Sequence, residues 1–355
     1  MIWRDVTLQQ FQEETERKEI ICVGYGQLFH DMTALWDKKE LKKIVLIADN
    51  NKHGEKYELY DNTFTLIPVE KLSEYDLENA CILITSLYCK SLYSQLERLL
   101  GDKKISCYIY PVMSLKVEKY DLILRNGINK IPKKIHYFWF GKGEIPEENR
   151  KCIESWKKYC PQYEIIKWTE ENYDVTKCNY MRQAYENRKW GFVPDYARLD
   201  ILYQYGGIYL DTDVELISGL DDLLFENAFI GFQRNFWINI GLGCGCEKGM
   251  NLFGEMRDAY ENINFVEDGR LNLLASPYYQ TLVLKRHGLK CNNQFQKING
   301  ISVFPTDVFD PQGYSFGKVS LTKNTHSIHH YSESWLDDEQ RDKNLARYKE
   351  VNHFR

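Results

Sequence analysis

The chain has 355 residues, 43% hydrophobic and 27% charged, with a net charge of −5. That composition fits a globular protein and excludes collagen-like, mucin-like and wholly disordered chains. The weak negative charge excludes a nonspecific nucleic-acid binder, which needs a positive field to displace counterions.

At about 100–200 residues per domain, the length implies two domains. Residues 20–110 alternate strand-like and helix-like segments. Ile20–Val23 predicts a strand ending in Gly24-Tyr25-Gly26, and a helix follows over 28–38. Residues 43–48 (KIVLIA) predict a second strand ending at Asp49. Residues 63–67 read as a third, and 80–85 (ACILIT) as another. An amphipathic helix over 90–100 and a strand over 106–110 close the series. Strands interleaved with helices predict a small, Rossmann-like parallel α/β domain over residues 1–128. Gly24-x-Gly26 with Asp49 resembles half of a dinucleotide fingerprint. Phe29 occupies the place of the third glycine, so a scaffold with a tight turn is the expected role.

The second part, residues 129–355, opens with a buried strand over 135–140 (IHYFWF). A helix over 146–160, a strand over 165–168 and a helix over 179–189 follow. The richest segment is FVPDYARLDILYQYGGIYLDTDVEL, residues 192–216. Pro194 suits the first turn of a helix running to Tyr205. Asp195 then sits where the helix dipole favours a carboxylate, and Arg198 shares its face. Gly206-Gly207 breaks the helix, and a short strand delivers Asp211-Thr212-Asp213 at its end.

Two carboxylates where a strand runs out can approach one site if the chain bends. Hard oxygen ligands of this kind suit Mg²⁺ or Mn²⁺, with water and a diphosphate completing the shell. An EF-hand would need glycine where Leu216 stands, and an aspartyl-phosphate phosphatase would want a small residue at Glu215. A glycosidase pair is open on spacing alone. Near the C-terminus SIHHYSESW (327–335) places His329 beside His330. If the segment is extended, one ring faces a site and the other a core or solvent. The ten cysteines lack CxxC spacing and read as free thiols of a reducing cytosol. No apolar run approaches the ~20 residues of a membrane span, and the polar, acidic first residues do not read as a secretory signal.

Residues 131–335 resemble the bacterial branch of glycosyltransferase family 32, sugar transferases with a DxD motif found in capsule and exopolysaccharide synthesis. The matching pieces are IPKKIHYFWFG (131–141), CIESWKKYCPQYEIIKW (152–168), FVPDYARLDILYQYGGIYLDTDVE (192–215), NIGLGCG (239–245), SPYYQT (276–281) and SIHHYSESW. The same arrangement is similar to the catalytic domain of the large clostridial glucosylating toxins. Two departures stand out: Pro194 where the family commonly has Ser, and Ser276-Pro277 where it often has Gly-Pro.

The resemblance implies a GT-A type nucleotide-diphospho-sugar transferase fold, a divalent metal (Mn²⁺ or Mg²⁺) and retention of configuration. It implies a nucleotide-sugar donor, UDP-sugar before GDP-sugar, and a saccharide or polyprenyl-linked acceptor. Trp139 would stack on the donor base, with Phe138, Asn239 and Ser334 among the donor contacts. Asp195 and Arg198 would hold the donor sugar and ribose, and Tyr209 would pack against the donor or bond to it. Asp213 would bind metal directly, and Asp211 would reach it through water or contact ribose. His330 would supply the C-terminal metal ligand, with His329 as the fallback, and Trp335 would reach the scissile oxygen. The catalytic set is then Asp195, Arg198, Asp211 and Trp335. The expected setting is cytoplasmic, at most peripheral at the inner membrane face. The rival readings are a non-catalytic nucleotide-sugar binder and a DxD metal phosphohydrolase.

Overall fold

A computed structural model describes residues 1–117, 120, 127–312, 319–332 and 338–354. It is an α/β protein built on two main sheets. The first holds β1 (Ile2–Trp3), β2 (Glu19–Val23), β3 (Ile44–Ala48), β6 (Ala80–Ile84) and β7 (Ser106–Ile109) in the order β1-β7-β6-β2-β3. Every pairing in it is parallel. The central strands β2 and β6 are buried along their length except at Glu19, which is why they read as continuous apolar runs. The segment read at 63–67 lies outside this sheet. It forms β5 (Asn62–Thr65), which pairs antiparallel with β4 (Lys56–Leu59) in a separate hairpin.

The turn after β2 is closed by Asp49. Its Oδ2 accepts from Tyr25 N at 2.7 Å, and its Oδ1 accepts from Asn51 N at 2.8 Å and Lys52 N at 3.0 Å. Both oxygens hold backbone, and Phe29 is buried behind the turn. Asp49 thus ties the turn after β2 to the turn after β3.

The second sheet has seven strands. They are β8 (Lys134–Phe138), β9 (Glu164–Trp168), β10 (Gly207–Tyr209), β12 (Ala228–Gly231), β13 (Cys244–Cys246), β16 (Gln296–Ile298) and β17 (Ile301–Phe304), in the order β16-β17-β12-β13-β10-β8-β9. β8 pairs parallel with β9 and β10, whereas β13 runs antiparallel between β10 and β12. Two short ladders flank it: β11 (Val214–Leu216) with β18 (Ser327–His329), and β14 (Val266–Glu267) with β15 (Arg270–Leu271).

The division expected at residues 128/129 falls between the sheets, but the last helix, Asp338–Val351, packs back on the first one. Ser91 Oγ donates to Glu350 Oε1 at 2.6 Å, and the Phe354 ring meets Trp3 at 5.2 Å. The expected second domain therefore ends inside the core of the first. The cysteines are free, all buried but Cys291. Among the described residues no helix is long and apolar enough to cross a membrane.

His136, in β8, is buried under the double glycine. Its Nε2 meets Gly206 O at 3.0 Å, and its Nδ1 accepts from Trp168 Nε1 at 3.2 Å. Gly207 has φ +108°, and a Cβ there would lie 2.9 Å from that ring. Burial pushes the His136 pKa down to about 4, against about 6.5 in an unfolded chain. A base with a depressed folded pKa contributes stability above the unfolded value and loses it as pH falls. Urea titrations should show a loss of up to about 3 kcal/mol between pH ~6.5 and ~4. His136→Gln, which can keep both hydrogen bonds, should flatten that step. An unchanged acid limb in the variant would assign the loss to other groups.

Candidate active site

The site forms at the carboxyl edge of the second sheet, where β10 ends. The helix Pro194–Tyr205 spans the range expected from Pro194 and Gly206. It lies inside the protein, and Asp195 and Arg198 are 3% and 4% exposed. A buried guanidinium must have its charge and N–H groups met. Arg198 Nη2 bonds to Asp195 Oδ1 and, at 2.5 Å, to Ser276 Oγ, while Nη1 reaches Asp211 Oδ1 at 3.4 Å. Arg198 Nε is buried without a partner among the described residues. Tyr180 Oη donates to Asp195 Oδ2 at 3.3 Å. Burial pushes the Asp195 carboxyl up to about 6, with Arg198 pulling the other way. The pair is therefore ionised at neutral pH.

Tyr209 is the last residue of β10, and its Oη donates to Asp211 Oδ1 at 2.6 Å. The Arg198 guanidinium stands 5.6 Å from the Tyr209 ring centre. Arg198, Tyr209 and Asp211 thus form one connected group, as the spacing suggested.

The next turn carries the second carboxylate. Asp213 Oδ2 accepts from Ser332 N and Ser332 Oγ, each at 3.0 Å, and Oδ1 lies 3.1 Å from His329 Nε2. Burial opposes ionisation of Asp213, but His329 and the two Ser332 donors outweigh it and hold the carboxyl well below its usual range. Asp211, Asp213 and His329 each offer one ligand atom, all within 4.8 Å of one another. Two carboxylates and an imidazole are a donor set suited to a divalent cation. His329 Nδ1 is buried without a hydrogen-bond partner among the described residues.

Of the two histidines, then, His329 and not the first choice, His330, turns to the aspartates. The cause is register. β11 pairs with β18 so that Val214 opposes His329, which seats the ring beside Asp213. One residue on, the side chain points the other way. His330 Nε2 meets Glu215 Oε2 at 2.9 Å on the exposed side.

Three residues expected as donor contacts have these surroundings in the fold. Phe138 is core, stacked on Phe140 at 5.3 Å and edge-on to Tyr173 at 5.5 Å. Asn239 shapes the turn under Asp211: its Oδ1 accepts from Gly241 N at 2.7 Å and its Nδ2 donates to Gln233 Oε1 at 2.9 Å. Trp139 is half-buried at the carboxyl end of β8, beside β10, with Nε1 donating to Gly143 O at 2.6 Å. Ser334 and Trp335 lie outside the described residues.

Tyr180 and Gly241 were not singled out from the sequence, and Ser276 was noted only as a departure from the family's Gly-Pro. Ser276 and Gly241 sit in the SPYYQT and NIGLGCG segments, and only folding shows what they touch. Gly241 O accepts from Asp211 N at 3.0 Å, and a Cβ on Gly241 would overlap Asp211 Oδ2. Gly241→Ala should displace that carboxylate and lower turnover about 100-fold, the scale of a 1 Å misplacement. Thermal unfolding should fall only modestly. Wild-type turnover in the variant would show that Asp211 is not held by this contact.

Residues 146–230 match the family described as "Glycosyltransferase sugar-binding region containing DXD motif". That stretch holds Asp195, Arg198, Asp211 and Asp213, whereas Ser276, His329 and Ser332 lie beyond it. The chain is 29% identical over 164 residues to inositol phosphoceramide mannosyltransferase 1 of Schizosaccharomyces pombe, covering 42% of this chain and 48% of that protein. It is 27% identical over 173 residues to the subversion of eukaryotic traffic protein A of Legionella pneumophila, covering 39% of this chain and 26% of that one. The chain thus spans about half the length of the first relative and about a quarter of the second. A solved structure titled PaToxG glycosyltransferase aligns with TM-score 0.37 and 23% identity, over 44% of this chain and 68% of that one.

Proposed function

We propose that the protein is a divalent-metal-dependent glycosyltransferase of GT-A type. It would move a sugar from a nucleotide-sugar donor, a UDP-sugar first, to a hydroxyl on a saccharide or lipid-linked acceptor. The observation that carries this is the convergence of Asp211, Asp213 and His329 with the buried Arg198–Asp195 pair at one sheet edge. Asp211, Asp213 and His329 would hold the metal, which offsets charge on the departing diphosphate. The mixed oxygen–nitrogen set favours Mn²⁺ over Mg²⁺.

As the bond from the anomeric carbon to the diphosphate oxygen breaks, its electron pair leaves with phosphate. Negative charge then grows on the phosphate and positive charge on the sugar ring. Arg198 opposes the first and Asp195 with Asp211 the second. The sequence offers no clear covalent nucleophile, so retention would follow front-face attack by the acceptor oxygen, whose proton passes to the leaving phosphate. Trp139, at the same sheet edge, is the candidate platform for the base. The resemblance sets such enzymes in capsule or exopolysaccharide synthesis, whereas one named relative acts as a mannosyltransferase on inositol phosphoceramide. What these share is glycosyl transfer to a hydroxyl, and that is the function inferred.

The test is to incubate the protein with Mn²⁺ and a panel of UDP- and GDP-sugars and to follow nucleotide release. Slow donor hydrolysis that depends on metal is expected. If no donor binds or is cleaved, the reading fails. Release of phosphate from simple esters instead would favour a phosphohydrolase.

A further inference from the structure

A cavity of about 610 Å³ is lined by Asp213 and not by Arg198. Its size lies within the ~300–1,000 Å³ of small-molecule sites. Asp213 and Ser332 form its inner end. One wall is the first turns of the helix Glu147–Tyr159, through Glu148 and Lys151. The opposite wall is the C-terminal helix, through Asp342, Leu345 and Tyr348. Three distant stretches of chain thus build it. It also explains why the last helix, docked on the first sheet, matters to the second.

The groups that suit a donor do not line this cavity. Arg198, Asp195 and Tyr209 gather at Asp211, not at Asp213. The cavity lining carries carboxylates at Glu148, Glu215 and Asp342 besides Asp213, against the cations Lys151 and, where protonated, His330. Asp213 faces His329 and Glu215 faces His330, which leaves Glu148 and Asp342 against Lys151. Among the described residues the lining has no cluster of cations for a phosphate or uronate, and its carboxylates accept hydrogen bonds from hydroxyls. Leu345, with what Tyr331 and Tyr348 leave uncovered beside Arg234, supplies apolar surface against which the C–H groups of a sugar ring can pack.

We propose that this cavity is the acceptor subsite and that it takes a neutral, unphosphorylated terminal sugar. The assignment rests on the transferase reading above. The acceptor hydroxyl would enter from the Asp213 side, its oxygen bonding to the anomeric carbon as the donor's phosphate leaves with the proton.

The experiment uses the full chain with Mn²⁺ and the donor it hydrolyses fastest. The probes are neutral methyl hexopyranosides of the manno, gluco and galacto series, with methyl glucuronide as the charged comparison. Total nucleotide release and glycoside product by mass spectrometry together give the ratio of transfer to hydrolysis. Neutral glycosides should be used at least 10-fold better than the glucuronide. Glu148→Trp, on an exposed turn where the ring fits without repacking the core, should lower the ratio at least 10-fold while the unfolding midpoint holds. Asp342→Ala should raise the half-saturating glycoside concentration several-fold. The assignment is overturned if Glu148→Trp leaves the ratio unmoved, or if hydrolysis falls in step with transfer. It is equally overturned if the glucuronide matches the neutral probes, or if a donor is hydrolysed and none of them is used. Absence of any donor hydrolysis in the wild type is a different result, which removes the transferase reading itself.

Discussion

Asp213→Ala should lower donor turnover about 10³-fold and weaken Mn²⁺ binding at least about 100-fold. The carboxylate is anchored at one oxygen by both donors of Ser332 and faces His329 with the other. Removing it takes away a metal ligand and the group that orients the imidazole. Ser332→Ala keeps the backbone donor and should cost about 10-fold, the lower end of the effect of a group that orients a ligand. His329→Ala should weaken Mn²⁺ binding as much as Asp213→Ala. His330→Ala should leave that affinity where it was, because its ring is bonded to Glu215. Calorimetric Mn²⁺ titration of these variants would decide the ligand set. An Asp213→Ala protein with wild-type Mn²⁺ affinity and turnover would remove the aspartate from the centre altogether.

The histidine pair shows where sequence reading stopped. Alternation along a strand says that His329 and His330 face opposite ways, but not which one meets Asp213. That choice is made by the register between Val214 and His329 across more than a hundred residues of chain. The helix Pro194–Tyr205 was legible to its ends because its signals are local: proline at its first position and glycine in a positive-φ turn at its close. Asp195, Arg198, Asp211 and Asp213 came with it. Ser276 was not readable as a partner of Arg198, since nothing local to SPYYQT marks a hydroxyl aimed at a guanidinium 78 residues earlier. The parallel strands of the first sheet were legible as apolar runs, whereas Asn62–Thr65 carries the same β-rich composition into a hairpin outside it. The C-terminal helix, Asp338–Val351, is too polar for periodicity to announce it, and its role depends on Glu350 and Val351 finding the first domain. Phe138 and Asn239 show that a place near the motif does not by itself say what a side chain touches. In the fold, one packs the core and the other shapes a turn.

Arg198→Met should be the most destabilising single change at the site. It leaves Asp195, 3% exposed, as a buried carboxylate met only by neutral hydroxyls, those of Tyr180 and Ser276 among the described residues. Breaking one side of a buried pair costs about 3–5 kcal/mol because the other charge is left uncompensated. The double variant Asp195→Asn/Arg198→Met removes that lone charge, so it should recover more than half of the loss in urea unfolding. Turnover, however, should stay down about 10³-fold in both, since neither holds a cation over the departing phosphate. Arg198→Lys separates charge from shape. An ammonium keeps the positive charge but cannot reach Asp195, Ser276 and Asp211 together as the planar fork does. It should cost about 1 kcal/mol of stability. Its turnover should fall about 100-fold, with the Mn²⁺ affinity held at Asp213 and His329 little changed. If the double variant regains activity along with stability, Arg198 is a structural residue only, and the chemistry assigned to the Asp195–Arg198 pair belongs to the metal site alone.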